Sequence, residues 1–189
     1  MRPLLFGKKE NGFGFASENH ALEFSGYQNL EDLAPGEVVF IDDNHQVHRK
    51  QLTQNRRAFC VFEYVYFAEL DSVLEGVPVY EARKNLGIAL ARHVKEKNLK
   101  IDVVACVPDT SRVGAQYFAR EMSVDYEEAL IKNRFSRGRT FTIGDPQERI
   151  IQVNEKFKYI RHLIEDKWLF LVDDSIVRGP TSTKIIQLA

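Results

Sequence analysis

The chain has 189 residues, of which 44% are apolar and 28% charged, with a formal net charge of -1. This composition is typical of a globular chain with a buried core and excludes a disordered one. A nearly neutral chain exerts no long-range attraction on nucleic acid or acidic membranes, so we expect neither partner. Two cysteines cannot form a disulfide framework, and no apolar run is long enough for a signal peptide or a membrane span. We therefore expect a cytoplasmic protein.

Short apolar runs separated by turn residues characterise the first part of the chain. These runs are 4–6, 13–16 and 38–41. Pro35 and Gly36 predict a turn before the third run, and the polar residues after it predict a β-hairpin. The sequence therefore predicts a small β-rich piece over residues 1–54.

From about residue 59 the pattern changes to strands that alternate with helices. The nearly continuous apolar run at 101–107 predicts a strand buried on both faces, and the run at 169–172 predicts a second strongly apolar strand. Apolar residues with helical spacing predict helices over 79–94, 114–122 and 153–164. We also expect a short strand at 129–131 and a helix that begins at 181. The alternation predicts an α/β fold with a parallel sheet over residues 55–189.

The most distinctive segment is 169–182, in which an apolar strand runs into two adjacent carboxylates and then a loop rich in Gly, Ser and Thr. Ligands of open α/β sheets bind at the carboxyl ends of strands. Loop amides and a helix N-terminus suit a phosphate, while the pair Asp173 and Asp174 suits Mg²⁺ or sugar hydroxyls. The alternative interpretation is an acidic turn followed by an ordinary helix cap.

A second strand end carries the segment 107–111 (VPDTS). If the two apolar strands are parallel neighbours, Thr110 and Asp173 open onto the same crevice. Taken alone, this segment is equally compatible with a simple turn.

The stretch 132–141 contains four cations and no acid. Guanidinium groups match phosphate oxygens bidentately, so a basic loop here suits a pyrophosphate group. A solvated basic loop without a ligand is the alternative.

Several blocks resemble, in order, one family: the glutamine phosphoribosylpyrophosphate (PRPP) amidotransferases, or amidophosphoribosyltransferases. Segment 172–182 resembles the PRPP loop of that family, and 60–68 resembles the block that opens its transferase domain. Three further segments of the transferase domain occur in the family's order: 107–111, 132–134 and 138–141. Three segments near the N-terminus resemble the last third of the family's glutaminase domain: 2–4, 16–18 and 35–37. The resemblance covers nearly the whole chain.

The resemblance implies a type I phosphoribosyltransferase fold over 55–189, C-terminally truncated and preceded over 1–54 by a remnant of an N-terminal-nucleophile glutaminase domain. It implies a pentosyltransferase that displaces pyrophosphate from PRPP with ammonia, taken from glutamine in the intact enzyme. The product, 5-phosphoribosylamine, begins de novo purine biosynthesis. Purine nucleotides as feedback inhibitors and a homo-oligomeric intact parent are also implied.

Matching the family residue by residue implies three groups of site residues. The Mg²⁺ ligands would be Thr110, Asp173 and Asp174. The residues that bind PRPP would be Asp173, Asp174, Ser175, Arg178, Gly179, Thr181 and Ser182. The catalytic residues that cover the pyrophosphate would be Lys132, Arg134 and Arg139.

The sequence departs from the family at several positions. It begins at Met1 without the family's N-terminal cysteine, so glutamine hydrolysis is not expected of this polypeptide, and we expect a fragment. Pro180 stands where Thr is usual and removes one N–H donor from the phosphate loop. Cys60 matches a ligand of an iron–sulfur cluster in some members, and the other ligands would lie beyond Ala189, which leaves the cluster open.

Two alternatives stand beside the enzyme interpretation. One is a non-catalytic PRPP-binding regulatory module, such as the purine repressors with a phosphoribosyltransferase fold. The basic stretch 132–141 argues against it. The other is an inactive truncated product, which Pro180 and the unfinished last helix favour.

Overall fold

The computed structural model of the chain describes residues 3–53, 56, 58–134, 157–176 and 179–188. The chain divides into two compact units, Met1–Ala82 and Arg83–Ala189. Segment 60–82 belongs to the first unit, in which the Glu18 carboxylate accepts hydrogen bonds from the Glu69 amide (2.7 Å) and the Ser72 hydroxyl (2.8 Å). The division of family domains between residues 54 and 55 stays a prediction.

A three-stranded antiparallel sheet opens the first unit. Its strands are β1 (Leu5–Lys9), β2 (Gly12–Ala16) and β3 (Gln28–Asp32), in the order β2-β1-β3. The short helix α1 (Asn19–Phe24) connects β2 to β3. Phe6 from the central strand is fully buried, which gives the sheet its apolar face.

The predicted hairpin follows as β4 (Glu37–Ile41) and β5 (Val47–Gln51), which pair antiparallel. Gly36 enters β4 at φ +82°, a conformation that glycine adopts without steric cost, which confirms the predicted turn. At the hairpin tip the Asp42 carboxylate accepts a hydrogen bond from the Asn44 amide at 2.9 Å. This side-chain bond closes the turn locally.

The first unit ends with short elements that lead into a long helix. These are a π-helical turn (Glu63–Phe67), the two-residue strands β6 (Val73–Leu74) and β7 (Val77–Pro78), and helix α2 (Val79–Lys95). Ala68, Leu74 and Val79 form a small buried cluster here. Helix α2 confirms the helical spacing read over 79–94.

A parallel sheet is the centre of the second unit. Its strands are β8 (Val103–Cys106), β9 (Asp125–Tyr126) and the last described strand, β12 (Leu169–Val172), in the order β12-β8-β9. Both pairings of β8 are parallel. All four residues of β8 are buried, which confirms the prediction of a strand covered on both faces.

Alternate residues of β8 pack into separate parts of the core. Val104 and Cys106 lie in a cluster with α2 and with helix α3 (Arg112–Met122). In that cluster the rings of Phe118 and Phe170 stack with centroids 4.5 Å apart and an interplanar angle of 8°. Val103 and Ala105 belong to a second cluster, with Ala129 and Ile164. Full burial of one such side chain contributes roughly 1.5–3 kcal/mol, so the sheet is held by packing on two sides.

The helix predicted over 153–164 is wrong where the structure describes it. Residues 157–159 form strand β11 (Phe157–Tyr159), antiparallel to β10 (Leu130–Lys132), and one 3₁₀ turn follows at Arg161–Leu163. Residues 151–156 lie outside the described residues. Phe157 is buried and Lys158 exposed, the two-residue alternation of a strand, and aromatic residues favour strands. Strand β10 confirms the short strand expected near 129–131.

The last described element is helix α4 (Pro180–Leu188), which confirms the helix predicted from 181. Across the described ranges, no helix is both long enough and apolar enough to span a membrane.

Helices α2 and α3 approach closely at two glycines. A Cβ built on Gly87 would lie 2.1 Å from the Gly114 carbonyl oxygen, whereas a Cβ on Gly114 would meet its nearest atom at 3.5 Å.

We expect Gly87→Ala to lower the free energy of unfolding by about 1–3 kcal/mol, because the added methyl group forces the two helices apart. Urea denaturation of the two glycine variants measures this. Gly114→Ala is the matched control: its methyl group fits at ordinary contact distance, and alanine gains up to about 1 kcal/mol of helix propensity. Equal losses in the two variants would contradict the close helix approach.

Candidate functional site

The carboxyl ends of β8 and β12 lie side by side. Cys106 and Val172, the last residues of the two strands, are paired in register. The Val107 amide donates a hydrogen bond to the Val172 carbonyl at 2.8 Å, which extends the pairing by one residue. The segments 107–111 and 173–176 therefore leave the sheet at the same edge. This parallel arrangement of the two strands is the one on which the predicted crevice depends.

Asp173 and Asp174 are half-buried at this edge. The Asp174 amide donates to Asp173 Oδ1 at 2.9 Å, and the Ser175 hydroxyl donates to Asp174 Oδ1 at 2.7 Å. Burial, and then the negative charge of Asp174, raise the pKa of Asp173 to about 6. Two carboxylates held together in this way repel each other, and a bound cation would relieve the repulsion.

The oxygen donors at this edge fit a magnesium ion. Asp173 and Asp174 supply carboxylates, and the half-buried Thr110 supplies a hydroxyl from the neighbouring segment. Mg²⁺ is commonly held by one or two carboxylates together with substrate phosphates. Among the described residues no cluster of three or more His, Cys, Asp or Glu side chains could hold a metal alone. The donor set therefore suits a metal ion that arrives with a phosphorylated ligand.

The segment after the acid pair leads into the N-terminus of α4. Gly179 has φ +79°, and its carbonyl accepts a hydrogen bond from the Thr183 amide at 2.9 Å. Pro180 is the first helical residue, a position where the missing N–H would have no intrahelical partner. Ser182 is half-buried in the first turn. Arg178 and the side chain of Thr181 lie outside the described part, so their predicted roles stay predictions.

The predicted catalytic cations begin at the end of β10. Lys132 is the last residue of that strand, and its ammonium group forms an ion pair with Asp109. Arg134 is exposed two residues later. Arg139 lies outside the described residues. The structure thus brings Lys132 to segment 107–111, and the catalytic roles of all three cations stay predictions.

A chain of polar contacts that the sequence analysis missed lies beside Lys132. Arg112 contacts Asp109 Oδ1 through Nη2 at 3.5 Å and donates through Nε to Glu128 Oε1 at 2.9 Å. The Tyr126 hydroxyl donates to the same Glu128 oxygen at 2.9 Å and lies 3.2 Å from Cys106 Sγ. Burial is the largest cause that raises the pKa of both Tyr126 and Cys106, so both stay protonated at neutral pH. The only sequence signal was the acid inside segment 107–111.

The residues of this sequence do not fit an iron–sulfur cluster on their own. Cys60 is half-buried in the first unit, and Cys106 is buried in the second. These are the two cysteines of the sequence, whereas a cluster of this kind takes four protein ligands. No step of the chemistry is therefore assigned to a cluster.

The sequence is similar to curated amidophosphoribosyltransferases. That of Pyrococcus horikoshii is 42% identical over 188 residues, and that of Lachancea kluyveri is 42% identical over 200 residues. Each alignment covers 100% of this chain, and 40% and 39% of the respective relative. No family model matches the sequence.

The fold gives the same result. The solved structure of the Bacillus subtilis glutamine PRPP amidotransferase, complexed with ADP and GMP, is similar with a TM-score of 0.82 and 38% identity. The match covers 99% of this chain and 40% of that one. It confirms the predicted fold class, a parallel phosphoribosyltransferase sheet preceded by a β-rich part. The chain spans about 40% of the length of the curated relatives it matches. Along its whole length the chain is thus similar, in sequence and in fold, to amidophosphoribosyltransferases.

Proposed function

We propose that this chain carries the PRPP site of an amidophosphoribosyltransferase, in which ammonia displaces pyrophosphate from C1 of the ribose in a Mg²⁺-dependent reaction. The observation that carries the proposal is the strand-end edge at which segments 107–111 and 173–176 emerge together. Sequence identity to the family along the whole chain supports it. The product would be 5-phosphoribosylamine, the first intermediate of de novo purine biosynthesis.

In this proposal the acid pair organises the ribose and the metal. Asp173, Asp174 and Thr110 hold Mg²⁺, and the two carboxylates also orient the ribose hydroxyls. When bound, the metal supplies positive charge that stabilises the negative charge growing on the departing pyrophosphate. Lys132, Arg134 and Arg139 add cationic contacts to the same leaving group. No protein nucleophile is required.

The other end of the substrate would bind at the start of α4. The hydroxyls of Ser175, Thr181 and Ser182, with Arg178, would surround the 5-phosphate. The positive φ of Gly179 turns the backbone into the helix, and its amide would donate to a phosphate oxygen. Amides at a helix N-terminus favour an anion through their unsatisfied N–H groups and the helix dipole.

The remaining roles concern the intact protein. Glutamine would supply the ammonia, and this chain alone would use free ammonia. Purine nucleotides would act as feedback inhibitors, and the intact parent would be a cytoplasmic homo-oligomer. The ADP and GMP bound by the Bacillus subtilis relative support the nucleotide part of the proposal.

Calorimetric titration of the chain with PRPP, with and without Mg²⁺, tests the proposed function. We expect binding that requires Mg²⁺, since the metal neutralises both the acid pair and the pyrophosphate. Ammonia-dependent release of pyrophosphate then tests catalysis. Binding without turnover would favour the non-catalytic PRPP-binding module, and no binding to a folded sample would contradict the site itself.

We expect Asp173→Asn to abolish Mg²⁺-dependent PRPP binding and, at pH 7.5, to raise the melting temperature by about 2–4 °C. The folded-state pKa of Asp173, about 6, lies above its ordinary value of 3.8, so the ionised carboxylate opposes folding above pH 6. The gain should shrink as the pH falls below 6 and disappear below about 3.8, where Asp173 is protonated in both states. Calorimetric melts across this range measure it.

Asp125→Asn is the matched control for that experiment. Asp125 is exposed and pairs with Val103 at the opposite end of the sheet. It should change neither PRPP binding nor the pH dependence of stability. A melting temperature that drops in Asp173→Asn at neutral pH would contradict the burial and repulsion argued for this carboxylate.

A further inference from the structure

Lys132 already has an anionic partner in the protein without ligand. Asp109 Oδ2 accepts from the Lys132 ammonium group, and Asp109 Oδ1 contacts Arg112 at 3.5 Å. Asp109 directly precedes Thr110, one of the proposed metal ligands. The carboxylate therefore occupies the same ammonium group that the proposed function assigns to pyrophosphate.

This ion pair is open to exchange with a ligand. The Lys132 and Asp109 side chains are 42% and 57% exposed, so water reaches both partners. Pairs of this exposure are weak, because solvent screens the attraction and both side chains lose rotamer freedom. A pyrophosphate group carries more charge than one carboxylate and offers several oxygens, so it can replace Asp109 at the ammonium group.

The other oxygen of the Asp109 carboxylate contacts Arg112, which is itself held in place. Arg112 is anchored by its Nε hydrogen bond to Glu128, and Glu128 also accepts from the Tyr126 hydroxyl. Arg112 is thus fixed at the first turn of α3, where it can keep Asp109 after Lys132 has left. The exchange consequently need not leave Asp109 without a cationic neighbour.

We propose that Asp109 is the resident counter-ion of Lys132 and that a pyrophosphate-bearing ligand binds by replacing this carboxylate, an inference that rests on the proposed function. Asp109 is a positioning residue in this scheme: it acts through Lys132 and sets how readily the ammonium group is available to a polyanion. Its removal frees Lys132 and strengthens the binding of pyrophosphate.

The test is a double-mutant cycle on the affinity for inorganic pyrophosphate in excess Mg²⁺, measured by calorimetry on the full chain. Asp109→Asn should tighten binding roughly 1.5- to 5-fold, the range expected when a weak exposed pair no longer competes. In the Lys132→Met background the same change should have no effect, because the group through which Asp109 acts is gone. Asp125→Asn, the matched acid at the other end of the sheet, should have no effect in either background.

Each outcome decides between distinct explanations. Tightening that persists in Lys132→Met would overturn the proposal in favour of direct charge repulsion, and weaker binding in Asp109→Asn would overturn it in favour of Asp109 as a metal ligand. Binding by Asp109→Asn where the unsubstituted chain binds nothing would support it strongly. If the unsubstituted chain binds Mg²⁺ and PRPP but Asp109→Asn is unchanged, only this inference fails. If no folded variant binds pyrophosphate or PRPP, the proposed function fails with it.

Discussion

The in-register parallel pairing of β8 and β12 is the constraint on which the second unit depends. It aligns Val103 with Leu169 and Cys106 with Val172, so both strands end at one level. A shift of one residue would reverse the faces of β12 and remove Val172 from the cluster that it shares with Cys106 and Phe118. The same packing that stabilises the sheet therefore sets the relative position of the two loops at its edge.

The site has a cost that the surrounding fold must offset. Asp173 is half-buried beside Asp174, and both burial and repulsion oppose its ionisation. An arrangement that holds two acids together in this way is useful when a cation is bound and unfavourable without one. The buried strands and the α2–α3 contact supply the stability that lets the chain keep such a pair. The proposed metal binding and the stability of the fold thus compete at Asp173, while the core a few residues away contributes to stability.

Sequence patterns predicted the strands and helices whose apolar residues form the core. They missed the contacts between polar side chains that lie far apart in the sequence. The run 101–107 was recognisable because a strand buried on both faces is apolar throughout. The run 169–172 was recognisable from its four apolar residues, although β12 is only partly buried. Residues 79–94 were recognisable because one face of the helix is apolar. The expectation for 153–164 failed because Phe157 fits a helical spacing with Ile160 and Ile164 as well as a strand alternation with Tyr159. The contact of Arg112 with Glu128 joins residues 16 apart in the sequence, and nothing in the local pattern indicates which acid faces which cation.

The charges at the strand-end edge explain why a polyanion would need a metal there. In the described part of this edge the carboxylates of Asp109 and Glu128 are matched by Lys132 and Arg112, so that these four charges cancel. The acid pair of Asp173 and Asp174 adds negative charge beyond this balance. A pyrophosphate group approaching alone would meet net repulsion, whereas one that arrives with Mg²⁺ brings the missing positive charge. The metal requirement of the proposed function would then follow from the arrangement of the protein's own acids, before any contribution of the metal to the chemical step.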